Sequence, residues 1–474
     1  MIQEFSFLVN GQWRKSAEKY ELHNPYNGET IAIVNRAGPG DIQEAIEAAE
    51  RAFSITRKLP GYKRAEILEN MHLSLRRRKE EFAQALTLEA AKPIVDARAE
   101  VERAITTFQV AEEEAKRTGG EVIPLDIVPA GEGWGGITRR FPIGPITGIT
   151  PFNFPLNLVA HKLAPCIASG NTMLLRPASQ TPICSLLLGQ VACDAGMSAG
   201  ALNVLPCTTK VAEPLVADER IKMLTFTGSP EVGWELKARA GKKKVLLELG
   251  GNAGVVINDD ADLETAARKC ARGGFYFAGQ SCISVQRILV KESVYQDFLT
   301  RLIDQVKKIK IGDPLDKTTE MGPVITAADA ERIQSWIAEA VAQGAKLAVG
   351  GERQGSLFEP TVLLDTKPDM KVNCLEAFAP LITVSPFSSF EEAIEVINDS
   401  SYGLQTGIFT NDLKAVFYAF DHLDVGGVIV NDAPSFRVDH MPYGGVKNSG
   451  FGREGIKYAI EEMTEIKLLA LPWG

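Results

Sequence analysis

No run in the 474 residues approaches the ~18 consecutive apolar positions of a membrane-spanning helix. Residues 1–12 carry no basic stretch leading into an apolar one, so a soluble, unexported, cytoplasmic chain without a membrane partner is expected. Basic residues are also in deficit. The 51 Lys and Arg stand against 60 Asp and Glu, for a net charge of −9, which disfavours the broad phosphate-binding surface of a nucleic-acid protein. Cysteine is sparse at seven, with no CxxC pair and no Cys/His spacing for zinc. A disulfide framework and a metal site are therefore not expected, and the thiols fit a reducing compartment. What is present is the balance of an ordinary globular chain, 45% hydrophobic and 23% charged, long enough for about two or three domains.

Helical and strand-like stretches alternate through most of the chain, the pattern of an α/β class with largely parallel sheets. The N-terminal third reads as mostly helical. Asp41 is the expected N-cap of a helix with Ile42, Ala45, Ile46 and Ala49 on one face; Gly61–Ala91 reads as one longer helix and Ala97–Lys116 as a third. Between Gly119 and Gly136 six glycines and two prolines erase helical periodicity, predicting a loop or protruding strand pair. Strands are predicted at Pro145–Thr150, Thr172–Arg176, Leu202–Leu205, Ile221–Phe226, Val245–Leu249 and Gly254–Ile257, with helices starting near Leu156, Pro182 and Pro230. A second alternating set from Asp262 onward predicts a second α/β domain. The tail ends in a strand, Glu465–Leu471, whose partner is either the protrusion or another subunit.

The segment Phe275-Tyr-Phe-Ala-Gly-Gln-Ser-Cys282 lies between a helix and the strand Arg287–Val290, and Gly279 allows the tight backbone that turns a thiol toward a pocket. Most cysteines are buried and inert, and Cys166, Cys184, Cys193 and Cys270 sit in apolar runs that fit this reading. Upstream, Glu248 closes the apolar run Val245-Leu-Leu-Glu-Leu ahead of two glycines. A carboxyl so placed has a raised pKa and serves as a general base, although a lone strand-end glutamate is more often a surface group. Thiol plus tuned carboxylate points to covalent catalysis with water as the second nucleophile. Asn153, in Ile149-Thr-Pro-Phe-Asn-Phe-Pro155, is a fixed amide suited to an oxyanion hole or to bracing a turn.

These three segments, with Phe7–Trp13, Asn24-Pro25 and Pro442–Gly450, resemble the aldehyde dehydrogenase superfamily over nearly the whole chain. The subgroup is that of lactaldehyde, phosphonoacetaldehyde and non-phosphorylating glyceraldehyde-3-phosphate dehydrogenase-like enzymes. The resemblance implies a variant Rossmann cofactor domain over 1–118 and 139–248, a catalytic domain over 249–447, and small β oligomerisation elements at 119–138 and 456–474, giving a homodimer or homotetramer. It implies that Cys282 attacks the aldehyde, that Asn153 and the Cys282 N–H hold the oxyanion, and that Glu248 activates the water that hydrolyses the resulting thioester.

For NAD or NADP it implies Thr150, Pro151, Phe152, Gly228, Ser229, Leu249, Glu376 and Phe378 around the pyrophosphate and nicotinamide ribose, and Arg176, Ala178 and Ser179 near the adenosine ribose. Ser179 stands where NAD-preferring members often carry a glutamate that repels a 2′-phosphate, and Arg176 could pair with that phosphate, so NADP is expected to be accepted. For a short polar or anionic aldehyde it implies Arg103, His161, Ser281 and Arg437; exposed arginines more often make surface pairs. Ser281 replaces an arginine found in some phosphate users. Two alternatives stay open: a CoA-acylating enzyme, which typically lacks the glutamate matching Glu248, and a catalytically silent protein on this fold.

Overall fold

A computed structural model describes residues 2–473. Residues 2–35 are not helical. They form short strands, two of which, Phe7–Val9 and Gln12–Arg14, extend the edge of the first large sheet. The first helix then runs from Pro39 to Thr56 and buries Ile42, Ala45, Ile46 and Ala49 as the periodicity requires. Asp41 does not cap it from outside. It is the third helical residue, and its carboxylate accepts from the N–H of the N-cap Gly38 at 2.9 Å. Gly61–Ala91 is two helices, Gly61–Arg77 and Lys79–Ala90, broken at Arg78 (φ −99°, ψ 17°). The break lets each half bury its own apolar face, Leu68, Met71 and Leu75 in one and Phe82 and Leu86 in the other.

The first large sheet has the order Gly450–Phe451, Lys244–Glu248, Met223–Thr227, Pro145–Ile149, Thr172–Arg176, Leu202–Val204, Phe7–Val9 and Gln12–Arg14, its five central strands parallel. The chain builds outward from Pro145–Ile149 to Leu202–Val204, then crosses back to lay Met223–Thr227 on the other flank. The order reverses there, and a parallel sheet opens a crevice at the carboxyl ends of such a pair. Those ends continue into Thr150–Asn153 and Gly228–Ser229.

A second sheet orders Lys346–Val349, Thr361–Leu364, Leu381–Phe387, Arg287–Lys291, Gly254–Ile257, Gln405–Phe409 and Gly427–Val430, all parallel but the first. Each sheet has its own buried core, around Phe82, Phe108 and Leu163 in the first and Phe275, Phe298 and Ile382 in the second. Residues 249–253 join the carboxyl end of the first sheet's Glu248 strand to the amino end of a strand in the second. The candidate functional residues gather at this junction.

The glycine-rich protrusion is a strand pair, and the C-terminal strand joins it within the same chain. Thr464–Pro472 runs antiparallel to Trp134–Pro142 over nine residue pairs, and Val122–Pro124 lies on the other side. Gly135 accommodates the Trp473 ring, which a Cβ would meet at 2.2 Å. The helix Ile456–Glu462 belongs to the body instead, burying Ile456 and Ile460 in the first core.

Candidate active site

Cys282 owes its position to backbone that few sequences adopt. Phe277, Ala278 and Gly279 have φ of 49°, 53° and 70°, three successive left-handed residues between the helix Leu263–Phe275 and the strand Arg287–Lys291. A Cβ on Gly279 would come within 2.1 Å of the Ala379 carbonyl oxygen, so glycine is required there for space as well as for φ. The turn delivers a half-buried thiol to the wall of a cavity of about 860 Å³. Burial pushes that thiol up to about 12, and the hydroxyl of Tyr443, 3.2 Å from Sγ, pulls it down.

Glu248, at the end of its strand, faces the same cavity, 2% exposed, with neither carboxylate oxygen hydrogen-bonded. Burial, then the nearby Glu454 carboxylate, drives its pKa well above the carboxylate range. Glu454 goes the other way, to about 2. Burial opposes this, but Lys162 at 3.0 Å and Arg437 at 3.2 Å favour its ionised form. Two neighbouring carboxyls are thus shifted in opposite directions. The glycines after Glu248 give room to other site residues: a Cβ on Gly250 would lie 2.5 Å from Glu376 Oε2, and one on Gly251 would lie 1.9 Å from the Cys282 carbonyl oxygen.

Asn153 is 4% exposed; its Nδ2 donates to the Gln280 carbonyl at 2.9 Å, tying it to the cysteine turn and leaving the second amide hydrogen free to face the cavity. The wholly buried Lys92 donates to the Asn153 carbonyl at 2.8 Å, pairs with Glu100 and lies 3.8 Å from the Phe154 ring centroid. Glu100 also accepts the N–H groups of Leu156 and Asn157, both at 3.1 Å, where the next helix begins. The sequence reading missed both groups, although charged residues amid apolar neighbours were a signal that they had buried partners.

The cavity wall also includes Pro151, Phe152, Gly228, Ser229, Leu249, Glu376, Phe378, Arg103, Ser281 and Arg437. Ser229 is the N-cap residue of the helix Pro230–Arg239, its hydroxyl making no capping hydrogen bond, and the N–H groups at such a terminus suit an anion. A Cβ on Gly228 would meet the Phe226 ring at 2.4 Å, so this turn stays bare on the approach to that terminus. Glu376 accepts the Gly251 N–H at 2.8 Å, and burial raises its carboxyl to about 7. Phe378, itself left-handed at φ 49°, packs edge-on against Phe152 at 5.9 Å.

Thr150, Arg176, Ala178 and Ser179 lie outside this cavity, along the end of the neighbouring strand. The Thr150 N–H bonds the Arg176 carbonyl, Arg176 reaches Thr209 Oγ1 at 3.2 Å, the Ala178 carbonyl accepts the Thr181 N–H, and Ser179 is exposed. His161 does not reach the cavity either. It is buried against Asp439 at 2.8 Å, and burial lowers its pKa. Asp439 also takes Arg103 in a two-pronged pair at 3.2 and 2.8 Å, so Arg103 is partly neutralised. Arg437, its side chain 6% exposed, is likewise paired, with Glu454 at 3.2 Å. Cys374 is exposed, unlike the other thiols outside the site. Among the described residues no His, Cys, Asp and Glu cluster is placed to hold a metal ion.

A family profile described as the aldehyde dehydrogenase family matches residues 13–469. The chain is 44% identical over 471 residues to the 3-sulfolactaldehyde dehydrogenase of Priestia aryabhattai, covering 99% of this chain and 98% of that one. It superposes with a TM-score of 0.98, at 45% identity and covering 100% and 99% of the two chains, on Physcomitrella patens aldehyde dehydrogenase 21 in complex with its reaction product succinate. It superposes at 0.93, with 40% identity over 96% of this chain and 100% of the other, on a Methanocaldococcus jannaschii glyceraldehyde-3-phosphate dehydrogenase complexed with NADP.

Proposed function

Since the chain belongs to the aldehyde dehydrogenase family and is an NAD(P)-dependent oxidoreductase, we propose that it oxidises a short aldehyde with an anionic far end to the carboxylic acid, using Cys282, Asn153 and Glu248. The observation that carries this reading is one cavity holding a half-buried thiol, an unpartnered buried carboxyl and a buried guanidinium.

In this reading Cys282 Sγ adds to the aldehyde carbon, and the oxygen, gaining charge, faces the Asn153 amide and the Cys282 N–H. The dinucleotide, when bound, supplies the two-electron acceptor that turns the thiohemiacetal into a thioester. Gly228 and Ser229 would hold its pyrophosphate, Thr150–Phe152, Leu249, Glu376 and Phe378 its nicotinamide end, and Arg176, Ala178 and Ser179 its adenosine ribose. The bare turn at Gly228 and the inward-facing Glu376 fit such a group. Glu248 then takes the proton of the water attacking the thioester; nothing else bonds its oxygens, so they are free for that water. This carboxyl supports hydrolysis over transfer to CoA.

The anionic end falls to Arg437, with Arg103 and Ser281 beside it. The relatives whose names specify a sulfonated aldehyde and a succinate product support that class. A panel of short aldehydes with neutral, carboxylate, phosphate and sulfonate ends, run with NAD and NADP, tests the assignment. The highest kcat/KM is expected for carboxylate or sulfonate ends, with NADP accepted, and Arg437→Gln should raise KM for those substrates roughly 10- to 100-fold, the loss of a charge-assisted pair, while leaving KM for neutral ones unchanged. Equal turnover of the neutral aldehydes would refute the anionic assignment.

The arm supports a homo-oligomer. Its edge strand, Thr464–Pro472, has a free side and exposes Ile466, Leu468 and Leu469. Light scattering should give a dimer or tetramer mass, and a monomer at micromolar concentration would contradict it. We place the enzyme in the cytoplasm, where Cys282 stays reduced; no described helix is long and apolar enough to cross a membrane.

A further inference from the structure

Tyr443 has no part in the steps above, yet its hydroxyl is within hydrogen-bond distance of the reacting sulfur. Its ring is 3% exposed and its hydroxyl lies 3.2 Å from Cys282 Sγ. The Arg437 guanidinium sits over that ring, 3.6 Å from the centroid, and is itself held by Glu454 Oε2 at 3.2 Å and by the edge of His161. A line of contacts runs from Glu454 through Arg437 and Tyr443 to the sulfur. A cation against a phenol ring withdraws electron density and makes its O–H a stronger donor, and a donor to an ionised acceptor contributes more than one to a neutral acceptor.

We propose that Tyr443 is a positioning residue that holds the Cys282 sulfur toward the cavity and stabilises its thiolate by donating a hydrogen bond, with Arg437 reinforcing the donation from the face of the ring. This rests on the reading of Cys282 as nucleophile.

The groups facing the sulfur make the need for such a donor clear. Glu248 from the first sheet and Glu376 from the segment before Leu381–Phe387 both disfavour a negative sulfur when ionised, and burial disfavours it more. Arg437 and Tyr443, both from the C-terminal segment, oppose them. Tyr443 in turn faces Cys282, Arg437 and Glu248, and its own proton is held far more tightly than a free phenol's, chiefly by burial, so it remains a donor across the working range. Arg437 faces Glu454, Asp439 and Glu248 and keeps its charge.

Tyr443→Phe deletes only the hydroxyl and keeps the buried ring. The rate of Cys282 alkylation by iodoacetamide, followed by mass spectrometry of its peptide so that the exposed Cys374 does not interfere, reads the thiolate fraction at each pH. The expected result is an alkaline displacement of about one pH unit, that is, about tenfold slower alkylation at any fixed pH below the thiol's midpoint. kcat/KM should fall in parallel near neutrality and recover as pH rises. Arg437→Gln, which leaves the hydroxyl in place, should displace the alkylation profile in the same direction by less. An unshifted profile for correctly folded Tyr443→Phe overturns the inference. Cys282→Ala run alongside separates the two levels: if that variant still oxidises aldehydes, the reading of Cys282 fails; if it is dead while Tyr443→Phe is unshifted, only the role of Tyr443 fails.

Discussion

Cys282→Ala is expected to lower kcat/KM for aldehyde oxidation by at least about 10⁴-fold, because no other described thiol lines the cavity and covalent catalysis has no substitute nucleophile. Four of the other cysteines are buried, Cys193 is half-buried, and the exposed Cys374 does not line the cavity. The substitution removes one sulfur from a half-buried position, so the thermal unfolding midpoint should hardly move. Activity and stability therefore separate in this variant. Oxidation at a tenth of the wild-type rate or more would show that the cavity works by another route.

Glu248→Gln should show the second largest effect, with a different signature. The amide preserves size and cannot take a proton, so thioester formation persists while its hydrolysis stalls. A rapid release of one equivalent of reduced cofactor per site, followed by a steady rate lower by about 10²- to 10⁴-fold, is the expected stopped-flow record. The wild-type pH profile carries a related sign. Burial and the ionised Glu454 raise the Glu248 carboxyl, so it keeps its proton to higher pH than an ordinary glutamate. The active, ionised form is depleted as pH falls, and kcat should climb with pH through a range above the usual carboxylate one. In Glu248→Gln that ascending limb should vanish. A variant with no burst and a fully retained steady rate would remove Glu248 from the chemistry.

Much of this was legible along the chain. The strand Thr172–Arg176 and the strand Gly254–Ile257 fall where their apolar runs predict, as does the start of the helix at Pro230, because buried parallel strands and proline-started helices carry local signals. The break at Arg78 was not legible: helical periodicity continues across it, and only packing decides that the two halves bury separate faces. The strands of the first 35 residues were missed for a similar reason. Most are three residues long and take their stability from partners outside their own segment, such as Thr30–Asn35 for Gln3–Phe5 and the distant Leu202–Val204 for Phe7–Val9.

Residue types and spacing by themselves determined the α/β class and the resemblance to a family, and singled out Cys282, Glu248 and Asn153 as candidates, since each lies in a short segment whose glycines, prolines and apolar flanks are local facts. Which charges those residues meet was decided only by the tertiary structure. Glu248 and Glu454 are 206 positions apart, and Cys282 and Tyr443 161; only folding brings each pair together. The same folding turns His161 and Arg103 onto Asp439 and leaves Arg437 buried over Tyr443. Proton affinities depend on burial and on neighbours within a few ångströms, and a one-dimensional reading contains neither.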